Sequence, residues 1–272
     1  MNELETKINI QDEIKQNIKG CIIRPSVAVI EIGNNEQNSY IIKNREEMCN
    51  YAGIYFRHYK YEESTPELTI INKIKELNND DYVNGVMIQL PIPEKYNEKR
   101  LLNTIINSKD IDGQTDINIG RLISGRKTIT PTLTLSVMNF INENNIELLN
   151  KEIVIVYKKE MQIRPLLNIL INMGCIVTTC KYNIDNLSNY TKDADILITC
   201  VGEKNIITDD MVKDGVVVVD AGFNIIDGKT ISDVDYKKVS KKASIITSED
   251  GIFELGNTMF LKNIIFCYES KK

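Results

Sequence analysis

The chain has no apolar run approaching the ~20 residues needed to span a bilayer, so no membrane partner is expected. It has no surplus of positive charge. Its 33 Lys and Arg stand against 38 Asp and Glu, for a formal net charge of −5. Binding to nucleic acid rests on clustered Lys and Arg, so no nucleic-acid partner is expected either. The six cysteines include no CxxC pair and no metal-like grouping, so no metal site is expected. Cys175 and Cys200 lie in apolar, strand-like segments and read as buried free thiols. The single histidine, His58, follows a strand-like stretch among Tyr and Arg and receives no catalytic assignment. The opening MNELETKINIQDEIKQ lacks the apolar centre of a secretory signal, which makes the cytoplasm the expected location. Repeats and low-complexity linkers are also lacking. What is present, 42% apolar and 26% charged residues over 272 positions, suits a soluble chain of one large domain or two ordinary ones.

Strand-like and helix-like segments alternate, which favours parallel sheets. The first half predicts a helix over 11–19, a strand over 26–32, a helix over 38–52, a strand over 54–59, a helix over 65–77 and a strand over 85–88. A helix over 133–144 leads to a second alternation: strand 152–156, helix 163–173, strands 175–180, 194–200, 215–220 and 243–247, and a final helix over 257–268. Gly202 and Gly222 close two of the later strands at their carboxyl ends. Glycine there allows close approach of a ligand to the backbone, and it is equally an ordinary turn residue.

Residues 82–122 carry the most information. The apolar strand over 85–88 runs into Gln89-Leu90-Pro91-Ile92-Pro93, where two prolines that cannot donate ladder hydrogen bonds stop it. Gln89 is left at the carboxyl end, where ligands bind in open α/β sheets. About twenty residues on comes Lys109-Asp110-Ile111-Asp112-Gly113, then Asn118-Ile119-Gly120-Arg121-Leu122. The ordered set V-M-I-Q-L-P-I-P, K-D-I-D-G and N-I-G-R-L resembles the bifunctional methylenetetrahydrofolate dehydrogenase/methenyltetrahydrofolate cyclohydrolase family. The likeness extends from Pro25-Ser26-Val27 through Asp220-Ala221-Gly222-Phe223-Asn224 to Ser232-Asp233-Val234.

The resemblance implies two α/β domains with a cleft between them, the second a Rossmann-like dinucleotide-binding domain. Residues 1–130 with 257–272 would form the folate-binding catalytic domain and 131–256 the NADP-binding domain, in a homodimer. It implies a substrate set of Tyr40, Gln89, Leu90, Pro91 and Asp112, with Asp112 accepting from the pterin amino group and Asp110 and Lys109 as framing residues. By the same resemblance the cofactor set is Tyr157, Lys158, Lys159, Gly202, Gly222 and Phe223, and the catalytic set is Arg45, Gln89 and Asp112.

Three regions depart from the family pattern. Where the family has Y-x-x-x-K on the first-domain helix, a gapless match from Gly33 to Gly53 puts Ile41 and Arg45. Arg stays protonated above pH 12 and cannot serve as a base, so the cyclohydrolase step should suffer more than hydride transfer. Where the family has G-R-S-x-x-V-G-x-P, this chain reads Tyr157-Lys158-Lys159-Glu160-Met161-Gln162-Ile163-Arg164-Pro165, with bulky residues at both glycine positions. Lys158 and Lys159 fall where the family contacts the extra phosphate of NADP, so weak, charge-based binding is expected. Where the family has P-G-G-V-G-P-M-T, residues 248–257 keep one glycine and neither proline. Two readings follow: an enzyme of folate one-carbon metabolism with a weakened cyclohydrolase step, or a catalytically impaired relative serving as a folate-binding, regulatory or structural subunit.

Overall fold

A computed structural model describes residues 3–226 and 229–270. The chain forms two compact units, one from Leu4 to Thr132 joined by the residues from Asn257 onward, the other spanning Leu133–Gly256.

The first unit runs α1 (Glu3–Ile18), β1 (Ser26–Ile32), α2 (Glu36–Ala52), β2 (Tyr55–Tyr61), α3 (Glu67–Asn79), β3 (Gly85–Ile88), α4 (Glu98–Leu102) and α5 (Asp116–Ile123). Its parallel sheet has the order β2-β1-β3. Central β1, SVAVIEI, is buried along its whole length, as expected for a strand covered on both faces. One face, Ala28, Ile30 and Ile32 with Val86 and Ile88, packs against Ile70, Ile71, Ile74 and Leu77 of α3. The alternation of the pleat sends Met87 and Gln89 to the other face. On that face α2 is capped by Asn35, whose side chain accepts from the Asn38 N–H.

The second unit runs α6 (Thr132–Glu143), β4 (Ile153–Tyr157), α7 (Glu160–Asn172), β5 (Val177–Lys181), α8 (Ser188–Thr191), β6 (Ile196–Cys200), β7 (Val217–Asp220), β8 (Asn224–Ile226), β9 (Lys229–Ile231), α9 (Tyr236–Val239) and β10 (Ile245–Ile246). The last helix, α10 (Phe253–Glu269), continues into the first unit. Five parallel strands lie in the order β10-β7-β6-β4-β5. Numbered from the unit's first strand this is the doubly wound order 2-1-3-4-5, read from the β5 edge. Such sheets bind ligands outside the carboxyl ends of strands 1 and 3, here β4 and β6, where the direction of winding reverses. Two α/β domains, the second Rossmann-like, are therefore present as the sequence suggests.

Some boundaries differ from expectation. Helix α7 begins at Glu160, three residues earlier than its apolar pattern predicts, supported by an Arg164–Glu160 pair at 2.9 Å one turn apart. The turn after β4 is thereby reduced to Lys158 and Lys159. Helix α5, over the N-I-G-R-L motif, was not among the predicted elements; Thr115 caps it. Cys175 and Cys200 are buried free thiols. Among the described residues no helix is long and apolar enough to cross a membrane.

Candidate functional site

In the first unit, three chain-distant side chains meet on the face of the sheet shared with α2. Arg45 of α2 is 8% exposed, and its Nη1 donates to Gln89 Oε1 at 3.2 Å and to Met87 Sδ at 2.9 Å. Its guanidinium carbon stands 4.4 Å from the centroid of the Phe260 ring on α10, a cation–π contact. Burial pushes the Arg45 pKa down and the nearby Asp112 carboxylate pulls it back up. Asp112 accepts from Thr132 Oγ1 at 2.9 Å. Burial raises the Asp112 pKa, opposed first by Arg45 and then by Thr132. Arg45, Gln89 and Asp112 are thus one electrostatic cluster. Arg45 Nε is buried with no hydrogen-bond partner, and so is the Asn38 Oδ1 one turn before Ile42 on the same helix. An unpartnered buried donor and acceptor on one helix would be answered by a group that offers both an acceptor and a donor.

The neighbouring motif residues divide by role. Gln89 Nε2 donates to Leu90 O at 2.9 Å, and Pro91 O accepts from Asn38 Nδ2 at 2.8 Å. Lys109 is buried and donates to Leu77 O, Asn78 O and Asp80 O at 2.8, 2.7 and 2.8 Å, closing the carboxyl end of α3. Asp110 accepts from Thr115 N and Asn118 Nδ2 at 2.8 and 2.9 Å, which fixes the start of α5. Both are framing residues. Tyr40 is 37% exposed, and at five residues from Arg45 it lies about 140° around the helix, whereas Ile41 lies one turn from Arg45 on nearly the same face. Met87, Phe260 and Thr132 were not anticipated. Met87 was legible from its two-residue spacing to Gln89, but nothing local marks Phe260 or Thr132.

In the second unit, the switch point is framed by the turns after β4 and β6. Tyr157 pairs with Lys181 on one side and Cys200 on the other. The Lys158 N–H donates to Cys200 O at 3.2 Å and the Tyr182 N–H to Tyr157 O at 2.9 Å. Lys158 Nζ lies 2.5 Å from Glu203 Oε1 and 5.9 Å from the Tyr182 ring centroid. Glu203 raises the Lys158 pKa. Lys159 is the N-cap of α7 without a side-chain cap bond, leaving the helix's first N–H groups unanswered by a cap side chain. Ile163 is 1% exposed, so its bulk is absorbed between helix and sheet. A lysine and a helix N-terminus without a side-chain cap at the switch point fit an anionic dinucleotide, through charge in place of glycine-rich backbone.

Gly202 and Gly222 serve packing within the protein. At Gly202, φ is +79° and a Cβ would come 2.8 Å from Phe223 O; at Gly222 a Cβ would collide with the Asp233 carboxylate. Phe223 stacks on Phe253 with centroids 4.0 Å apart. The Asp233 carboxylate accepts from three successive N–H groups, of Val201, Gly202 and Glu203, at 2.9, 2.7 and 2.9 Å. Asp220 accepts from Thr199 Oγ1, Gly222 N and Asp233 N at 3.1, 3.0 and 2.9 Å, and also from Ser232 Oγ. Burial, then the neighbouring Asp233 charge, raises Asp220 to about 7; Asp233 is raised by burial as well. This pair of carboxylates holds the loops after β6 and β7, and sequence reading gave no role to Asp233.

Residues 2–112 match the family model described as "Tetrahydrofolate dehydrogenase/cyclohydrolase, catalytic domain", and residues 131–272 match "Tetrahydrofolate dehydrogenase/cyclohydrolase, NAD(P)-binding domain". The "Bifunctional protein FolD" of Clostridium tetani is 33% identical over 261 residues, covering 96% of this chain and 94% of that protein. The crystal structure of the bifunctional methylenetetrahydrofolate dehydrogenase/cyclohydrolase FolD from Campylobacter jejuni superposes with a TM-score of 0.93 at 34% identity, over 100% of this chain and 98% of that one. A Trypanosoma brucei methylenetetrahydrofolate dehydrogenase-cyclohydrolase, solved with NADP and an inhibitor, shares the fold with a TM-score of 0.93 at 19% identity, over 100% and 97% of the two chains.

Proposed function

Because the chain belongs to the tetrahydrofolate dehydrogenase/cyclohydrolase family, we propose that it is an NADP-dependent enzyme of folate one-carbon metabolism whose cyclohydrolase step is weakened. It oxidises 5,10-methylenetetrahydrofolate to the 5,10-methenyl form and hydrolyses that product slowly to 10-formyltetrahydrofolate. The observation that carries the weakening is the contact between buried Arg45 and Gln89, which fills a proton-handling position with a permanent cation.

NADP, when bound, supplies the hydride acceptor. The chain's own residues orient the folate and set the field around it. Asp112 takes a pterin N–H on the carboxylate that Thr132 orients. Loss of hydride leaves positive charge on the folate; Asp112 stabilises that charge, while Arg45, held by Gln89 and Phe260, opposes it. Orientation and electrostatics suffice for this step.

Hydrolysis asks for more. Water forms a C–O bond to the methenyl carbon and must lose one proton; the C=O bond of the formyl group then forms as the C–N5 bond breaks, the remaining hydroxyl proton ending on N5, for a net release of one proton. Arg45 cannot accept the proton, and Gln89 can only hold Arg45 or the water. Losing a positioned acid–base group typically costs ~10²–10⁴-fold.

The test assays both steps on the purified chain, following NADP-dependent oxidation of methylenetetrahydrofolate and hydrolysis of methenyltetrahydrofolate. Measurable oxidation with hydrolysis lower by about two orders of magnitude or more supports the proposal. Equal rates for both steps sink the weakening. Folate binding without either activity favours the folate-binding subunit. The family resemblance further supports a cytoplasmic homodimer, which sedimentation of the purified chain and its distribution on cell fractionation would check.

A further inference from the structure

Lys158 and Glu203 lie on opposite sides of the switch point, on the turn after β4 and the loop after β6, and their side chains meet at 2.5 Å. The loop presenting Glu203 is rigidly set, because the buried Asp233 carboxylate binds its backbone N–H along with those of Val201 and Gly202. The ion pair itself is open to water, with side chains 42% and 41% exposed. An exposed pair of this kind is a modest attraction that a stronger anion can displace.

In Rossmann-type sheets a carboxylate near the end of the second strand takes the ribose 2′-hydroxyl and disfavours a 2′-phosphate. Here that strand, β5, ends at Lys181 and leads into Tyr182, with no acid at either position. Lys158 Nζ stands 5.9 Å from the Tyr182 ring, beside the end of that strand. The acid comes instead from the loop after β6, as Glu203.

We propose that Glu203 is a specificity-determining residue of this site: it holds Lys158 in an ion pair that a cofactor 2′-phosphate must break, and so reduces the chain's preference for NADP over NAD. This rests on the reading of the second unit as a dinucleotide-binding domain. Lys158 has two stations, the Glu203 carboxylate and the phosphomonoester. Glu203 also repels the phosphate directly. NAD, lacking that phosphate, does not call on Lys158 to move.

The experiment is calorimetric titration of the full chain with NADP and, separately, NAD, for the parent, Glu203→Gln, Lys158→Gln and the double variant. Melting curves confirm that each is folded, as expected for substitutions at exposed side chains. Glu203→Gln is expected to tighten NADP by about 3- to 10-fold and to change NAD by less than about 2-fold. In the Lys158→Gln background the added Glu203→Gln change should shift the NADP/NAD ratio less than half as much on a logarithmic scale. An unchanged ratio in Glu203→Gln, or the same shift with and without Lys158, overturns the proposal and leaves the dinucleotide reading standing. Binding of neither nucleotide by any of the four proteins overturns that reading and the proposal with it.

Discussion

The Arg45 guanidinium donates to the Gln89 amide oxygen at 3.2 Å while its carbon rests 4.4 Å from the Phe260 ring centroid, so the cation midway along α2 is held from two separate chain segments. A lysine in its place would be shorter, would keep one donor toward Gln89 and could shed a proton when desolvated. Arg45→Lys alone is expected to raise methenyltetrahydrofolate hydrolysis only slightly, because Ile41, one turn away, brings no hydroxyl to orient the amine. Arg45→Lys with Ile41→Tyr should exceed the product of the two single effects, since groups acting on one proton are coupled. Hydrolysis rates of the parent, both singles and the double measure this. A parent as fast as the double variant would show that the position needs no titratable amine.

Gln89→Leu removes the amide acceptor from a buried guanidinium whose Nε already lacks a partner. The expected cost is about 1–3 kcal/mol of folding stability, read as a lower urea midpoint at unchanged slope. Dehydrogenase activity should fall in the same variant, because Gln89 stands at the strand end and holds Arg45, the cation coupled to Asp112. Full activity with lowered stability would reduce Gln89 to a structural role.

Lys109 offers the opposite pattern. Its ammonium satisfies three carbonyls at the end of α3, and it is 2% exposed. Lys109→Met should cost on the order of 3 kcal/mol, since those carbonyls lose a charged donor. The rate per folded molecule should hold below the new melting temperature. Loss of turnover in a fully folded Lys109→Met protein would instead move Lys109 into the catalytic machinery.

How much of this was legible in the sequence depended on distance along the chain. Strands β1 and β3 were read at their observed bounds because each is a fully buried apolar run with prolines beside it, Pro25 before one and Pro91 after the other. Arg45 could be placed by counting between two glycines, and the resemblance grouped it with Gln89 in one catalytic set. Phe260 could not be paired with Arg45, because the two lie on helices far apart in the chain and nothing in the α10 sequence sets Phe260 apart from Phe253 or Phe266. The same holds for Glu203 and Lys158, whose exposed partners carry no burial signal in either segment. Residues Gly202 and Gly222 were noticed, but their cause, packing against Phe223 O and Asp233, exists only in three dimensions.

Asp220 yields a pH-dependent prediction. Burial and the Asp233 charge raise its pKa from the ordinary 3.8 to about 7 in the folded chain. Between those values the folded protein keeps a proton that the unfolded chain releases. The folded state binds more protons there, so this group's contribution to stability falls as pH rises from about 4 to about 7 and is level above. Asp220→Asn cannot ionise and should lose that slope. The amide also accepts fewer of the bonds from Thr199, Gly222, Ser232 and Asp233, a loss of about 1–3 kcal/mol at every pH. The gap in stability between parent and variant should therefore be widest near pH 5 and shrink toward pH 8. Urea unfolding of both proteins across that range checks it, with carboxylates away from the Asp220–Asp233 pair cancelling in the difference. A gap that stays constant or widens with rising pH would show that Asp220 is already ionised in the folded chain at pH 5.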